Sequence, residues 1–174
     1  PPVALSHERL LVGVGEETAF DGELSTAGQW RIASHRWDFG DGTVREGERV
    51  DHAFAAPGDY TVTHTVVDDS GHPCNTASET FTVRVNAAPV AAAGDDRRLA
   101  VGEESVFDAA ASTDSDGVVE IYAWDFGDGA AAADARAAHA YAAPGTYTVT
   151  LRIEDDSQVA NSSATDTLTI IVND

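Results

Sequence analysis

The sequence contains one cysteine, Cys74, in 174 residues, and it lacks both methionine and lysine. A single cysteine excludes a disulfide within the chain and any zinc site built on cysteine ligands. No apolar run approaches the roughly 18 to 20 residues that a membrane-spanning helix needs. Residues 1–5 have neither the basic start nor the apolar stretch of a signal peptide. Because an initiator methionine is also missing, we expect a fragment of a longer array or of a multidomain protein.

Acidic residues outnumber basic ones by 30 to 10, which gives a net charge of −20. Such a charge repels phosphate backbones and anionic lipid surfaces, so we predict no nucleic-acid partner and no membrane insertion by this segment. It favours cations instead. Two explanations unrelated to function remain open: a GC-rich genome that prefers arginine codons, or adaptation to high salt, where carboxylates keep the surface hydrated. Hydrophobic residues make up 43% of the chain, which is enough for a packed core.

Two copies of one unit make up the whole sequence, at an offset of 87 residues. The hexapeptide Trp-Asp-Phe-Gly-Asp-Gly at 37–42 recurs at 124–129, and a Pro-Gly turn followed by Tyr-Thr-Val-Thr recurs at the same offset. No gap is needed anywhere in the alignment. An internal repeat of this kind indicates repeated structural units, and we predict two domains, residues 1–86 and 87–174.

The pattern within each unit is one of strands and turns. Residues 147–153 alternate between apolar and polar side chains and are rich in β-branched residues, which is typical of a half-buried antiparallel strand. Residues 60–66 alternate likewise, with His64 where the second copy has Leu151. No segment shows a convincing helical period. We therefore predict an all-β chain of two tandem immunoglobulin-like β-sandwiches, with about seven strands each and a short linker.

Several residues shared by both copies are expected to stabilise the fold. Trp37 and Trp124 end a strand, and a small sandwich needs one large ring to bridge its two sheets. The tyrosine after the Pro-Gly turn resembles a tyrosine corner, in which the hydroxyl holds a loop in place. We expect the aspartate of each Asp-Gly turn to accept backbone N–H groups, and the shared histidines, His52 and His139, to make structural hydrogen bonds.

No catalytic motif is present, so the sequence does not support an enzyme. Ser-His-Asp arrangements, the Gly-x-Ser-x-Gly elbow, the P-loop and His-Glu-x-x-His are all missing. Paired carboxylates are frequent, but chance pairs are expected in so acidic a chain. Five of the six histidines fall in the first copy, at spacings that match no known zinc pattern: His7, His35, His52, His64 and His72.

The motif at 37–42, followed about 15 residues later by His-x-Phe-x-x-Pro-Gly-x-Tyr-x-Val at 52–62, resembles the PKD (polycystic kidney disease) domain. The second copy carries the same motifs, with Tyr in place of Phe, so the resemblance covers both units from end to end. It implies an immunoglobulin-like sandwich of secreted and cell-surface proteins, here a prokaryotic one. PKD domains serve as spacers or as adhesion and ligand-contact modules beside catalytic domains such as collagenases, or within surface-layer proteins.

The resemblance also implies a possible Ca²⁺ site in the second unit. Ser112 to Gly117 is similar to the Ser-x-Asp-x-Asp-Gly stretch of bacterial PKD domains, and carboxylate and carbonyl oxygens close in sequence are the ligands that calcium requires. We expect Asp114, Asp116, Asp125 and Asn86 to converge there. The first copy has lost both loop acids, so at most one such site is expected. The alternative is that Asp116-Gly117 only forms a turn.

Two further positions are candidates for contact or modification. Trp30, with its neighbour Arg31, is unique to the first copy, and we predict a ligand contact there. Asn161 begins an Asn-Ser-Ser acceptor sequence for N-glycosylation in a loop before the last strand.

We predict a noncatalytic extracellular module that acts as a spacer and as a surface for protein or glycan contacts, with other domains of the same polypeptide as partners. One alternative is a polysaccharide- or collagen-binding accessory domain of a secreted hydrolase. Exposed aromatic residues would then line one sheet face, but only 7% of the residues are aromatic. Another alternative is a structural subunit of a surface-layer lattice, which would fit the acidity.

Overall fold

The computed structural model describes residues 1–5 and 9–174; the predicted histidine position His7 lies outside them. The described residues contain fourteen β-strands and no helix, and hence no helix long and apolar enough to cross a membrane. The chain divides into two compact units, Pro1–Asn86 and Ala87–Asp174. The all-β prediction is confirmed.

The first unit contains seven strands, which form one five-stranded and one two-stranded sheet. The strands are β1 (Leu10–Gly13), β2 (Thr18–Asp21), β3 (Ile32–Asp38), β4 (Val44–Glu46), β5 (Arg49–His52), β6 (Gly58–Asp68) and β7 (Thr76–Asn86). The larger sheet has the order β1-β7-β6-β3-β4, and β2 pairs with β5 in the smaller one. The pairs are antiparallel except for β1 with β7, which run parallel.

The second unit repeats this arrangement. Its strands are β8 (Arg97–Ala100), β9 (Ser105–Asp108), β10 (Val119–Asp125), β11 (Ala131–Ala132), β12 (Arg136–His139), β13 (Gly145–Asp155) and β14 (Ser163–Asn173). The larger sheet has the order β11-β10-β13-β14-β8, with β9 and β12 in the smaller one. The predicted seven strands per unit are confirmed, as is the immunoglobulin-like sandwich.

Each core is built around the tryptophan of the third strand. Trp37 and Trp124 are 0% and 1% exposed, which confirms their predicted role. Each indole N–H also donates to a backbone carbonyl, of Gly47 at 3.0 Å and of Asp134 at 3.2 Å. A buried indole whose N–H has a partner contributes its full apolar area without leaving a polar group unsatisfied.

The tyrosine corners form as predicted. The Tyr60 hydroxyl donates to the carbonyl of Ala56, and the Tyr147 hydroxyl to that of Ala143, both at 3.0 Å. Each bond ties the strand that follows the Pro-Gly turn to the residue four positions upstream. This turn is therefore held at the same place in both units.

Candidate functional site

The strongest candidate for a functional site is the loop after the second strand of each unit. It comprises residues 22–31 between β2 and β3 and residues 109–118 between β9 and β10. The opening residues of the same unit hold each loop through an isolated β-bridge, Val3 with Thr26 and Val90 with Thr113. Because the repeat places both loops on equivalent scaffolds, their differences reflect their own side chains.

In the second unit, two carboxylates converge above Gly117. A Cβ on Gly117 would lie 2.4 Å from Oδ1 of Asp156 and 2.5 Å from Oδ2 of Asp114, so a larger residue would displace the two carboxylates. The backbone N–H of Val118 donates to the same Oδ1 of Asp156 at 3.2 Å. Asp116 lies in the same loop, and its Oδ1 accepts the N–H of Ala87 at 3.2 Å.

The Asp114 carboxylate is poorly compensated for a charged group. Its Oδ2 is buried without a hydrogen-bond partner, while Oδ1 accepts the N–H of Asp116 in a long bond of 3.4 Å. Burial, together with the negative charges of Asp116 and Asp155, raises the pKa of Asp114 above its ordinary value. An unsatisfied carboxylate oxygen among other carboxylates is a position that a cation would stabilise.

The structure does not bring all the predicted calcium ligands together, and the expectation for Asp125 is wrong. Val119 and Asp125 begin and end β10, and they pair with Asp155 and Thr150 on β13. A seven-residue strand is about 20 Å long, so Asp125 lies at the opposite end of the sandwich from Asp114. Its Oδ1 instead accepts the N–H of Gly127 in the turn that follows. Asn86 is buried at the end of β7 in the first unit, and its role as a ligand stays a prediction.

The carboxylates around Gly117 suit calcium in chemistry but do not form a complete site alone. Within residues 1–5 and 9–174, no group of three His, Cys, Asp or Glu side chains is arranged to hold a metal ion. Ca²⁺ takes six to eight oxygen ligands and accepts backbone carbonyls and water besides carboxylates. Asp114 and Asp156 could supply two of these ligands, and the others would come from carbonyl and water oxygens.

The first unit carries Trp30 in place of Gly117. The hydrogen bond between Val118 and Asp156 has an equivalent here, since the N–H of Arg31 donates to Oδ1 of Asp69 at 3.0 Å. Trp30 is 42% exposed, and its ring meets that of His72 edge-on at 6.1 Å. Arg31 lines an open cavity of about 680 Å³, together with Ser25, Ile32, Ala33, Ser34, His35, Glu46, Gly47 and Glu48.

Sequence reasoning missed a pair of histidines near this cavity. Nδ1 of His35 lies 3.1 Å from Nε2 of His64, and His64 is fully buried with its ring stacked on Trp37 at 3.8 Å. Burial lowers the pKa of His64 to about 4, and the neighbouring His35 acts in the same direction. The signal in the sequence was the exchange of His64 for Leu151 between the copies.

The histidines shared by both units have a structural role, as predicted. Nε2 of His52 lies 2.8 Å from Oδ2 of Asp41, and His139 makes the equivalent contact with Asp128. The other oxygen of each aspartate accepts the N–H of the residue two positions later, which confirms the predicted turn role. His52 also stacks on Phe39 at 4.0 Å.

Asn161 lies in the turn between β13 and β14 and is half-buried. Its glycosylation stays a prediction.

Taken by itself, the geometry defines a tandem pair of immunoglobulin-like modules with variable loops on a common scaffold. The family model of the PKD domain matches residues 1–83 and 86–170, so the chain belongs to the PKD domain family. The resemblance seen in the sequence is confirmed.

Two similar proteins are bacterial collagenases. The chain is 36% identical over 115 residues to collagenase ColA of Clostridium perfringens, a match that covers 66% of this chain and 10% of ColA. It is 38% identical over 74 residues to a microbial collagenase of Vibrio alginolyticus, covering 42% of this chain and 9% of that protein. The chain thus spans a tenth or less of the length of these relatives.

A solved structure with the same architecture contains the three N-terminal domains of the Highly Immunogenic Outer Capsid protein of bacteriophage RB49. The TM-score is 0.59 at 11% sequence identity, and the match covers 99% of this chain and 71% of that one. At this identity the likeness shows the fold alone.

Proposed function

We propose that this chain is a noncatalytic extracellular module that separates other domains of its polypeptide and offers a surface for contact with proteins or glycans. The observation that carries the proposal is how the two units use their large and polar side chains. The indoles of Trp37 and Trp124, the tyrosine-corner hydroxyls and the His–Asp pairs are all committed to the core or to turns. Relatives in which PKD domains form a small part of a longer peptidase support an accessory role.

Incubation of the chain with soluble and fibrillar collagen, casein and chitin oligomers tests the first part of the proposal. We expect no cleavage of any of them over the range of pH in which the chain is folded. The proposal would be contradicted if new peptide or sugar ends were released in proportion to the concentration of the chain and if a variant of the chain lost this activity.

A collagen- or polysaccharide-binding accessory domain is the second candidate, and Trp30 favours it. An exposed indole beside an arginine offers a stacking face and a hydrogen-bond donor, which suits a peptide carbonyl or a sugar hydroxyl. Co-sedimentation with insoluble collagen, chitin and cellulose separates the candidates. The accessory role predicts that the chain is retained on one of them. The substitution Trp30→Gly, which introduces the residue of the second unit, should abolish this retention. A chain that stays in the supernatant with all three acts as a spacer.

A matched control for Trp30→Gly is available in the second unit. Val118→Ala changes an exposed residue at the position equivalent to Arg31. Binding that is lost in both variants to the same extent would not arise from Trp30. A surface-layer subunit, the remaining alternative, would assemble into sheets or filaments with increasing concentration, which sedimentation without any added polymer detects.

We propose further that Asp114 and Asp156 hold one calcium ion in the second unit. The unpartnered Oδ2 of Asp114 supports the proposal, because a bound cation would satisfy this buried oxygen. Its chemistry would be structural: the ion would hold the loop at 109–118 against the start of the β13–β14 turn. Calorimetric titration of the whole chain should show one binding event, which is lost in Asp114→Asn. The control Asp69→Asn alters the equivalent aspartate of the first unit and should leave the event intact. An Asp114→Asn titration equal to that of the wild type would overturn the proposal.

A further inference from the structure

Three positions of the first unit differ together from their equivalents in the second unit, and they lie in contact. Gly22, His35 and His64 stand where the other unit has Ala109, Tyr122 and Leu151. A Cβ on Gly22 would lie 2.6 Å from Nδ1 of His35 and 2.9 Å from Nε2 of His64. The alanine of the second unit could not be placed here without moving both rings. The three residues therefore form one cluster, with the two facing ring nitrogens at its centre.

The two imidazoles face each other through nitrogen atoms. Their rings are close to parallel, at 14°, and their centroids are 5.3 Å apart, so the facing nitrogens lie between the ring centres. At 3.1 Å the two nitrogens are within hydrogen-bond distance, with one ring as donor and the other as acceptor. Two nitrogens that bind the same tetrahedral zinc at 2.0 to 2.1 Å are about 3.3 Å apart. The observed separation is therefore close to that of two ligands of one ion.

A neutral His64 binds a metal ion through Nε2 when its proton is on the second nitrogen, Nδ1. Nδ1 of His64 makes no hydrogen bond of good geometry, but the backbone of Leu5 lies near enough to raise the pKa of this ring, against the larger effect of burial. A proton on Nδ1 leaves the lone pair of Nε2 available to an ion.

The surroundings of His35 favour a cation. Glu48 and Asp21 lie near enough that their charges raise the pKa of this ring, although burial lowers it more. His35 is half-exposed, and it lines the cavity that also contains Glu46 and Glu48. The cavity gives an ion from solvent a route to His35. The net charge of the whole chain, −20, further concentrates divalent cations around it.

We infer that His35 and His64 form a binding site for a divalent transition-metal ion, with Nδ1 of His35 and Nε2 of His64 as ligands and water or a carboxylate in the other positions. A tilt of the half-exposed His35 ring directs both lone pairs at the ion, while the stack on Trp37 holds His64. Copper(II) binds most tightly among such ions at nitrogen sites, and zinc follows. The site is specific to the first unit, since the second unit has no histidine at either position.

Copper(II) and the whole chain provide a direct test. With calcium present to occupy carboxylate sites, copper should quench tryptophan fluorescence in a saturable manner, because Trp37 stacks on His64 at 3.8 Å. Its electron paramagnetic resonance spectrum should show nitrogen ligands. His64→Leu and His35→Tyr each introduce the residue of the second unit and should weaken binding at least tenfold. His72→Ala, which changes an exposed histidine outside the pair, should bind as the wild type does.

A measurement without any variant keeps the test valid if a variant fails to fold. Zinc added to the wild-type chain should shift the ring nitrogen resonances of His35 and His64 and leave those of His139 unchanged. Unchanged resonances of the pair would overturn the inference. Equal copper affinity in the wild type and in folded His64→Leu or His35→Tyr would overturn it as well.

Discussion

Nε2 of His52 lies 2.8 Å from Oδ2 of Asp41, across the end of the first sandwich. The other carboxylate oxygen accepts the N–H of Thr43, so one aspartate fixes both the Asp-Gly turn and the histidine stacked on Phe39. Burial raises the pKa of Asp41, but the hydrogen bonds to Thr43 and His52 together have the larger effect. The pKa of the carboxyl group is therefore lowered.

Replacement of this aspartate should destabilise the first unit. Asp41→Ala removes two hydrogen bonds and leaves the buried His52 without its partner, so we expect a loss of about 2 kcal/mol in the free energy of unfolding. Urea unfolding at neutral pH measures it. Since the pKa of Asp41 is lowered in the folded state, its contribution is present above the ordinary pKa and is lost as the pH falls through the folded value. Asp59→Ala, an exposed aspartate on β6, should change stability little. Equal effects of the two variants would show that the His–Asp contact contributes nothing.

Much of this fold could be predicted because the chain contains its own comparison. A residue that recurs after 87 positions, as Trp37 does at Trp124, is expected to serve the fold that the two copies share. Both of these tryptophans are buried in the structure. Alternation along residues 147–153 likewise fixed the buried face of β13, since side chains in a strand point to opposite sides in turn.

The candidate site was harder to predict because it depends on pairing between distant segments. The sequence did not show where β10 begins, so the length of strand that separates Asp125 from Asp114 was not foreseen. Asp156 joins the loop only through the pairing of β10 with β13. The contact between His35 and His64 arises in the same way, from the register of β3 with β6.

Tyr141 should make the second unit sensitive to alkaline pH. Its hydroxyl is buried and donates to the carbonyl of Phe126 at 3.1 Å, while the first unit has Phe54 at this position. Burial, with smaller effects of Asp128 and Tyr147, raises the pKa of Tyr141 to about 12.

The sign follows from the raised pKa. The unfolded chain loses this proton near pH 10, so the contribution of Tyr141 is complete below that pH and is lost as the pH rises through about 12. The loss should reach roughly 2 to 3 kcal/mol. Tyr141→Phe should remove this part of the alkaline destabilisation, as measured by urea unfolding at a series of pH values. A variant that loses stability as steeply as the wild type above pH 10 would contradict the argument.

Two glycines of the second Asp-Gly turn should differ in their tolerance of alanine. Gly127 and Gly129 both have positive φ, at 77° and 93°, so alanine strains either of them by about 1 to 3 kcal/mol. A Cβ at Gly127 would also lie 2.5 Å from the carbonyl oxygen of Thr148, whereas one at Gly129 meets no atom within 4 Å. Gly127→Ala should therefore cost about 2 kcal/mol more than Gly129→Ala in urea unfolding. The same ranking should hold for Gly40 and Gly42 of the first unit, and equal losses within either pair would show that the backbone moves aside freely.

Asp114 should affect stability in opposite directions with and without calcium. Its raised pKa means that ionisation costs stability in the folded state: the contribution of Asp114 to stability is complete below the ordinary pKa of this carboxyl group and is lost as the pH rises through the folded value. At neutral pH in a chelator, Asp114→Asn removes this unfavourable charge and should raise the unfolding temperature of the second unit.

Calcium should reverse the order of the two proteins. A bound cation stabilises the charged carboxylate of the wild type but gains less from the neutral amide, so the wild type should unfold at the higher temperature when calcium is in excess. Scanning calorimetry of both chains, with chelator and then with calcium, measures the two differences. Asp69→Asn in the first unit is the control. The difference in unfolding temperature between this variant and the wild type should be the same with chelator and with calcium. If Asp114→Asn unfolds at the higher temperature under both conditions, the carboxylate repels its neighbours without binding an ion.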